Sequence, residues 1–124
     1  DISEVAIRKA LRLAKENHVT ITPINADLNR YQVAPEAYDL IVTIQFLSRP
    51  FIPVLKRGLK HGGYVIYENY TVDQWKNAKG ENLRRDWLLQ KGELKEFFKD
   101  YEILVYKETN DGTEAVASIV ARKP

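Results

Sequence analysis

Several polar residues of this sequence stand just beyond the ends of apolar runs: Asp27, then Thr43, Gln45, Ser48 and Arg49, then Glu68, Asn69 and Tyr70. Asp1 stands ahead of the first amphipathic run, where a preceding strand would have ended. In open α/β sheets ligands bind beyond the carboxyl ends of the strands, and an acidic side chain there can accept both hydroxyls of a ribose. Gln45 lies inside an otherwise apolar stretch, and a buried amide needs hydrogen-bond partners. Plainer roles compete at each position. Asp27 is a common turn residue, and Glu68 with Asn69 can simply solvate a strand end.

Other chemistries are excluded or weak. The sequence contains no cysteine, which removes disulfide scaffolds, thiolate zinc sites and cysteine nucleophiles. Its two histidines, His18 and His61, cannot alone make a histidine-rich metal site. Neither has an acid or nucleophile at catalytic spacing. Both are expected to be structural, and no metal site or catalytic residue is singled out. From Trp75 to Lys91 the chain mixes aromatics and cations (Trp75, Lys76, Lys79, Arg84, Arg85, Trp87, Lys91), as single-strand binders do. Asp73, Glu81 and Asp86 dilute that charge, and the whole chain carries only +2. Nucleic acid is therefore not expected as a partner.

The elements that must position these residues read off the periodicity. Ser3 and Glu4 open an amphipathic helix with Ile7, Ala10, Leu11 and Ala14 on its apolar side, stopped near Asn17. The run from Val19 to Asn25 reads as a short strand weakened by Pro23, with Ala26, Asp27 and Leu28 as the loop after it. Tyr38 to Leu47 is almost wholly apolar, the pattern of a strand covered on both faces. A helix follows from about Pro50 or Pro53 to Lys60, broken by Gly62 and Gly63. Tyr64 to Tyr70 is the next strand, and residues 71–92 form an irregular excursion, expected to be a mobile flap. A helix from Gly92 to about Asp100 and two strands, Glu102 to Glu108 and Glu114 to Arg122, close the chain around an Asp-Gly turn. Strands alternating with helices imply a mostly parallel sheet sandwiched by helices.

At 124 residues and 14.4 kDa the chain fits a single domain spanning 1–124. With 44% hydrophobic and 29% charged residues it has the composition of a soluble globular protein. No apolar stretch approaches the ~18 residues of a membrane span, and the N-terminus shows no signal segment. A cytoplasmic protein acting on a small molecule is the expectation.

Taken together in order, these segments resemble class I S-adenosylmethionine-dependent methyltransferases, and most of all the small tellurite-resistance type. DISEVAIRKALRLAKE resembles the end of their second strand and the helix after it, and NADL at Asn25 to Leu28 their acidic adenine-side motif. YDLIVTIQFL resembles their fourth strand, LKHGGYVIYENY their Gly-Gly turn and fifth strand, and the closing hairpin their last two strands. The resemblance implies S-adenosylmethionine as cofactor. It matches Asp1, with Ile2 beside it, to the acid that holds the ribose hydroxyls, and Asp27 with Leu28 to the adenine side. It matches Thr43, Ile44 and Gln45 to the segment under the methionine moiety, and Glu68, Asn69 and Tyr70 to the acceptor side, where Arg49 joins them. His61 departs from the proline usual before the glycine pair.

The resemblance also implies a Rossmann-like, doubly wound sheet with a C-terminal antiparallel hairpin, incomplete at its N-terminal side. The family's first strand and glycine-rich loop would precede Asp1, and no G-x-G occurs anywhere in the sequence. The chain is therefore expected to be a fragment of a methyltransferase. In the family's strand order, 3-2-1-4-5-7-6, two strands lie between Val19 to Asn25 and Tyr38 to Ile44. The expectation is that those strands exist upstream; otherwise the open edge is a site for self-association, or Val19 to Asn25 moves in to pair with Tyr38 to Ile44. The alternatives are a non-catalytic nucleotide- or cofactor-binding module or regulatory fragment of the same fold, and another doubly wound protein such as a nucleotide-binding or response-regulator-like domain.

Overall fold

The computed structural model describes residues 1–77 and 82–124. Their contacts divide into two compact units, Asp1–Gln32 and Val33–Pro124.

The first unit is built on helix α1, Glu4–Glu16. Ser3 caps it, its hydroxyl accepting from the Ala6 amide at 3.2 Å, and Glu4 and Lys15 complement the dipole at the two ends. Asn17 closes it, donating from both its backbone and its side chain to the Leu13 carbonyl. His18 follows in the left-handed region, at φ 54°. The segment Val19–Asn25 is not a strand, contrary to the expectation from its β-branched residues. A strand exists only where a neighbour completes its ladder, and Pro23 has no N–H to offer one. Val19, Ile21 and Ile24 are correspondingly exposed. One rung is present: the Asp1 ammonium donates to the Ile24 carbonyl at 2.9 Å, and the Ala26 amide donates to the Asp1 carbonyl at 3.0 Å. That pair of bonds flanks residue 25 as in a parallel ladder.

The second unit holds a four-stranded mixed sheet in the order β1-β2-β4-β3, where β1 is Tyr38–Ile44, β2 Leu59–Tyr70, β3 Glu102–Asn110 and β4 Ala115–Arg122. β1 and β2 are parallel and the other two pairings antiparallel, so the parallel part is confined to one pair. Helix α2, Phe51–Gly58, makes the crossover between β1 and β2, and the short helix α3, Glu93–Phe97, precedes the hairpin. α2 stops at Gly58 rather than running to Lys60, because Leu59 already pairs with Tyr38. The Gly-Gly pair is thus inside β2 rather than ahead of it. A side chain at Gly63 would press within 3.0 Å of the Lys60 and Asp39 carbonyls, so the close approach of backbones there requires glycine.

One face of this sheet makes the core. Val65 and Tyr67 of β2 and Ala117, Ile119 and Ala121 of β4 pack against Ile52 and Leu55 of α2, Leu94 of α3, and Phe98. The other face is different. Leu40, Val42 and Ile44 of β1 are about half exposed, so β1 is not covered on both faces as its apolar run suggested. Both described helices of this unit lie against the side of Val65 and Tyr67, which leaves the alternate side chains open. The closing hairpin matches its sequence signal, with Gly112 at φ 87° and the Asp111 carboxylate accepting from the Thr113 and Glu114 amides at 2.8 Å.

The excursion after β2 is tied down where it is described. Val72 donates to the Leu89 carbonyl and Leu89 to the Tyr70 carbonyl, both at 2.9 Å, which sets residues 71 and 89 in a parallel bridge. Leu88 and Leu89 are fully buried. Between the bridged residues 71 and 89 run two 3-10 turns, Val72–Lys76 and Arg85–Trp87. Lys79 and Glu81 lie outside the described residues.

Candidate functional site

The parallel pair β1–β2 ends at Ile44 and Tyr70, and its carboxyl end is where the geometry concentrates polar groups. Gln45 leaves β1 at φ 53°, a conformation that a residue with a side chain adopts at a cost of about 1 kcal/mol or more. Its backbone N–H donates to the Glu68 carbonyl at 2.9 Å. Its side-chain amide donates to the Tyr70 hydroxyl at 2.9 Å, and that hydroxyl in turn donates to the Glu114 carboxylate at 3.4 Å. Burial first, and the neighbouring carboxylate of Glu114 second, hold the Tyr70 phenol above its ordinary pKa, so it is neutral and a donor at pH 7. Glu68 is half-buried on the same face of the sheet. Glu114 is a member of this group that the sequence did not announce. The Asp-Gly turn located the hairpin, but only the register of β4, with Val116 opposite Tyr70, brings residue 114 to this end.

The remaining predicted positions are spent differently. Thr43 points toward the core side and is half-buried, while Ile44 is exposed. The Asn69 side chain is buried and donates to the Trp87 carbonyl at 2.7 Å and the Tyr70 carbonyl at 3.2 Å. Arg49 is a tie between elements. Its guanidinium donates to both Glu93 carboxylate oxygens, at 2.6 and 2.9 Å, and to the carbonyls of Asp86 and Leu88, at 2.9 and 3.1 Å. Burial pushes the Glu93 carboxyl up, but the Arg49 guanidinium and the Gln90 amide outweigh it and hold Glu93 below its ordinary value. Tyr67, also buried, donates to the Phe46 carbonyl at 2.6 Å and so fixes the turn that carries Arg49.

In the first unit, Asp1 and Asp27 flank the single parallel rung. The Asp1 carboxylate accepts from the Ser3 amide at 2.7 Å, through one oxygen. One Asp27 oxygen accepts from the Asn29 amide and side chain, and the other stands 3.9 Å from the Arg30 guanidinium. Ile2 is exposed and Leu28 half-buried. The histidines are elsewhere: His61 sits between the Glu36 carboxylate, 3.1 Å away, and the Pro124 carbonyl, 2.6 Å away. Trp75, Arg84, Arg85 and Trp87 of the excursion are engaged within it. Arg84 pairs with Asp86 and covers the Trp87 ring, while Arg85 covers Trp75, whose indole donates to the Leu83 carbonyl. No group of three or more metal-ligating side chains occurs among the described residues. None of their helices is long and apolar enough to cross a membrane.

No protein-family model and no curated protein matches the sequence. Solved structures do match the fold. TehB from Haemophilus influenzae is 26% identical with a TM-score of 0.79; it is matched over 100% of this chain, which spans 48% of TehB. The N-methyltransferase NodS from Bradyrhizobium japonicum gives 17% identity and a TM-score of 0.72, over 100% of this chain and 71% of NodS. A SAM-dependent methyltransferase from Aquifex aeolicus gives 16% and 0.67, over 98% of this chain and 65% of the other. The mixed sheet, its single crossover and its terminal hairpin are therefore an incomplete Rossmann-like fold, and that fold is the one of the class I S-adenosylmethionine-dependent methyltransferases.

Proposed function

We propose that this chain belongs to a methyltransferase that uses S-adenosylmethionine to methylate a small molecule, and that it supplies the nucleoside and acceptor sides of the site. The observation that carries this reading is the backbone rung at Asp1. That rung pairs Asp1 with residue 25 in parallel fashion, which supports reading Asp1 and Asp27 as two carboxylates beside neighbouring lengths of backbone. Their chemistry suits the cofactor's nucleoside half. Among the described residues no protein group donates to the second Asp1 carboxylate oxygen, which suits ribose hydroxyls, and Asp27 beside the Leu28 amide can take the adenine amino group. When bound, the cofactor supplies a sulfonium methyl group that needs an aligned nucleophile more than it needs acid–base help. Thr43, Ile44 and Gln45 would support its methionine part, while the sequence offers no glycine-rich loop for the carboxylate end.

Calorimetric titration of S-adenosylhomocysteine into the chain, and into a form extended upstream, tests the reading. Binding is expected in the extended form. Asp1→Ala should weaken it by roughly 1.5–3 kcal/mol, as loss of hydrogen bonds to a charged group does. Unchanged affinity in both Asp1→Ala and Asp27→Ala rejects the site. A cofactor-binding module without catalysis would bind equally well and show no turnover with any acceptor.

A further inference from the structure

The two edges of the sheet are built differently. β3, on one side, carries Glu102, Lys107 and Glu108 along its length, and such charges keep an edge strand from pairing with another chain. β1, on the other, is YDLIVTI, with Asp39 as its one charge, and Asp39 is already paired with Lys60 at 2.9 Å. The outer side of the β1 backbone is open among the described residues. The Gln45 N–H points inward, donating to the Glu68 carbonyl of β2. Backbone groups alternate in direction along a parallel strand, so those of Leu40, Val42 and Ile44 point away from β2. The same three residues carry apolar side chains that are about half exposed. A groove of about 230 Å³ runs along this edge, with Val33, Ile41, Phe51 and Leu55 among its walls. Asn77, next to the undescribed residues 78–81, is bonded to Asn110 on β3, at the opposite edge of the sheet. An unpaired ladder flanked by apolar side chains is a template for another strand.

We infer that β1 pairs with β1 of a second copy of this chain, antiparallel about a twofold axis at Ile41, making one continuous sheet across two molecules. The strand is self-complementary in that register. A twofold axis requires each contact to be reciprocal, which for two identical strands means antiparallel pairing. Centred on Ile41, all seven residues of β1 find partners: Leu40 faces Val42, Tyr38 faces Ile44, and Asp39 faces Thr43. Leu40 and Val42, whose backbone groups point outward, then exchange both N–H···O=C bonds. Ile41 meets its own copy at a non-hydrogen-bonded position, beside the groove it lines. Like charges stay apart, because the two Asp39 side chains are offset along the strands by about 13 Å at ~3.3 Å per residue. Pairing β1 with β3 of another copy would instead set apolar groups against charges in a head-to-tail contact that does not close. The pairing uses only backbone and apolar groups, and it stands apart from the function proposed above.

The test is sedimentation velocity of the full chain over a concentration series. One strand edge is smaller than the ~800 Å² per partner of a standard interface. The dimer should therefore grow in between about 10 μM and 1 mM, toward twice the 14.4 kDa of one chain. Val42→Lys puts charges near the centre of the joined edge and should leave a monomer throughout. Leu104→Lys on β3, at a similarly exposed position, should leave association unchanged. The sequence has no cysteine, so Ile41→Cys introduces a single thiol. Mild oxidation should link two copies through it, because Cα atoms of a non-hydrogen-bonded pair lie about 4.5 Å apart, within disulfide reach. Leu104→Cys should not link. Amide exchange at Leu40, Val42 and Ile44 should slow as concentration rises. A chain that stays monomeric to about 1 mM overturns the inference, whether those amides exchange freely or are protected by a segment of the same molecule. So does a dimer that survives Val42→Lys or that Ile41→Cys does not trap. If Ile41→Cys fails to fold, Val42→Lys and amide exchange in the parent chain decide.

Discussion

Replacing Arg49 by Met should destabilise the second unit by about 2–3 kcal/mol. The guanidinium makes four hydrogen bonds, two to the Glu93 carboxylate and two to the backbone carbonyls of Asp86 and Leu88. Removing it strands the Glu93 side chain, only 17% exposed, without its countercharge. Breaking a fully buried pair in this way costs about 3–5 kcal/mol. Arg49 itself is 39% exposed, so solvent screens part of the interaction and the lower range applies. Urea denaturation measures it: at a slope of about 1–3 kcal/mol per molar, the midpoint should fall by about 1–2 M. A double-mutant cycle with Glu93→Gln should return a coupling of about 1.5–2 kcal/mol, since the two side chains are in direct contact. Amide exchange at Leu89, whose N–H is bonded to Tyr70, should quicken in step. A midpoint within about 0.2 M of the parent would refute this accounting. It would return Arg49 to the role its sequence position suggested, a charge held ready for a ligand.

The same ion pair sets an acid limit. Glu93 is held below its ordinary value of 4.5, so its stabilisation is complete above that pH and is lost as pH falls through the depressed value. Urea midpoints should be level from about pH 7 to 5 and drop below about pH 4.5, and Glu93→Gln should remove that part of the drop. Leu89→Ala, at a fully buried position, should cost about 2–5 kcal/mol by the same assay, whereas a mobile flap would register almost nothing. Gly112→Ala meets no atom within 4 Å and should cost about 1 kcal/mol through its φ of 87° alone. Gly63→Ala, which meets two backbone carbonyls, should cost visibly more in a parallel melt.

Local signals were legible wherever the information was local. Ser3 capping α1, Asn17 ending it, and Asp111 with Gly112 turning the hairpin each rest on groups within four residues of one another, and each occurs as its sequence indicates. Helix and strand boundaries slipped where a distant partner decided them. Leu59 leaves α2 for the sheet because Tyr38, 21 residues earlier, is waiting to pair. The excursion was least legible. Its charges and tryptophans suggest a solvated flap, yet Leu88 and Leu89 sit in the core, and the ties that hold them come from Tyr70 and from Arg49 on another loop.

The candidate site divides along the same line. Strand-end position alone pointed to Gln45, Glu68 and Tyr70, because a ligand-binding crevice follows from topology, and topology follows from the alternation of helices and strands. It could not separate Arg49 and Asn69 from them, since all five are polar residues at strand ends. The difference is in what each side chain meets. Arg49 and Asn69 have their donors consumed by backbone carbonyls and a carboxylate, so they tie the loops around this end of the sheet together. Among the described residues no cation pairs with Glu68 or Glu114, and the Tyr70 hydroxyl meets only Gln45 and Glu114. A sequence records where a polar group is placed along a strand; only the folded backbone decides whether its hydrogen-bonding capacity is already used, and the capacity left over is what a site has to offer a ligand.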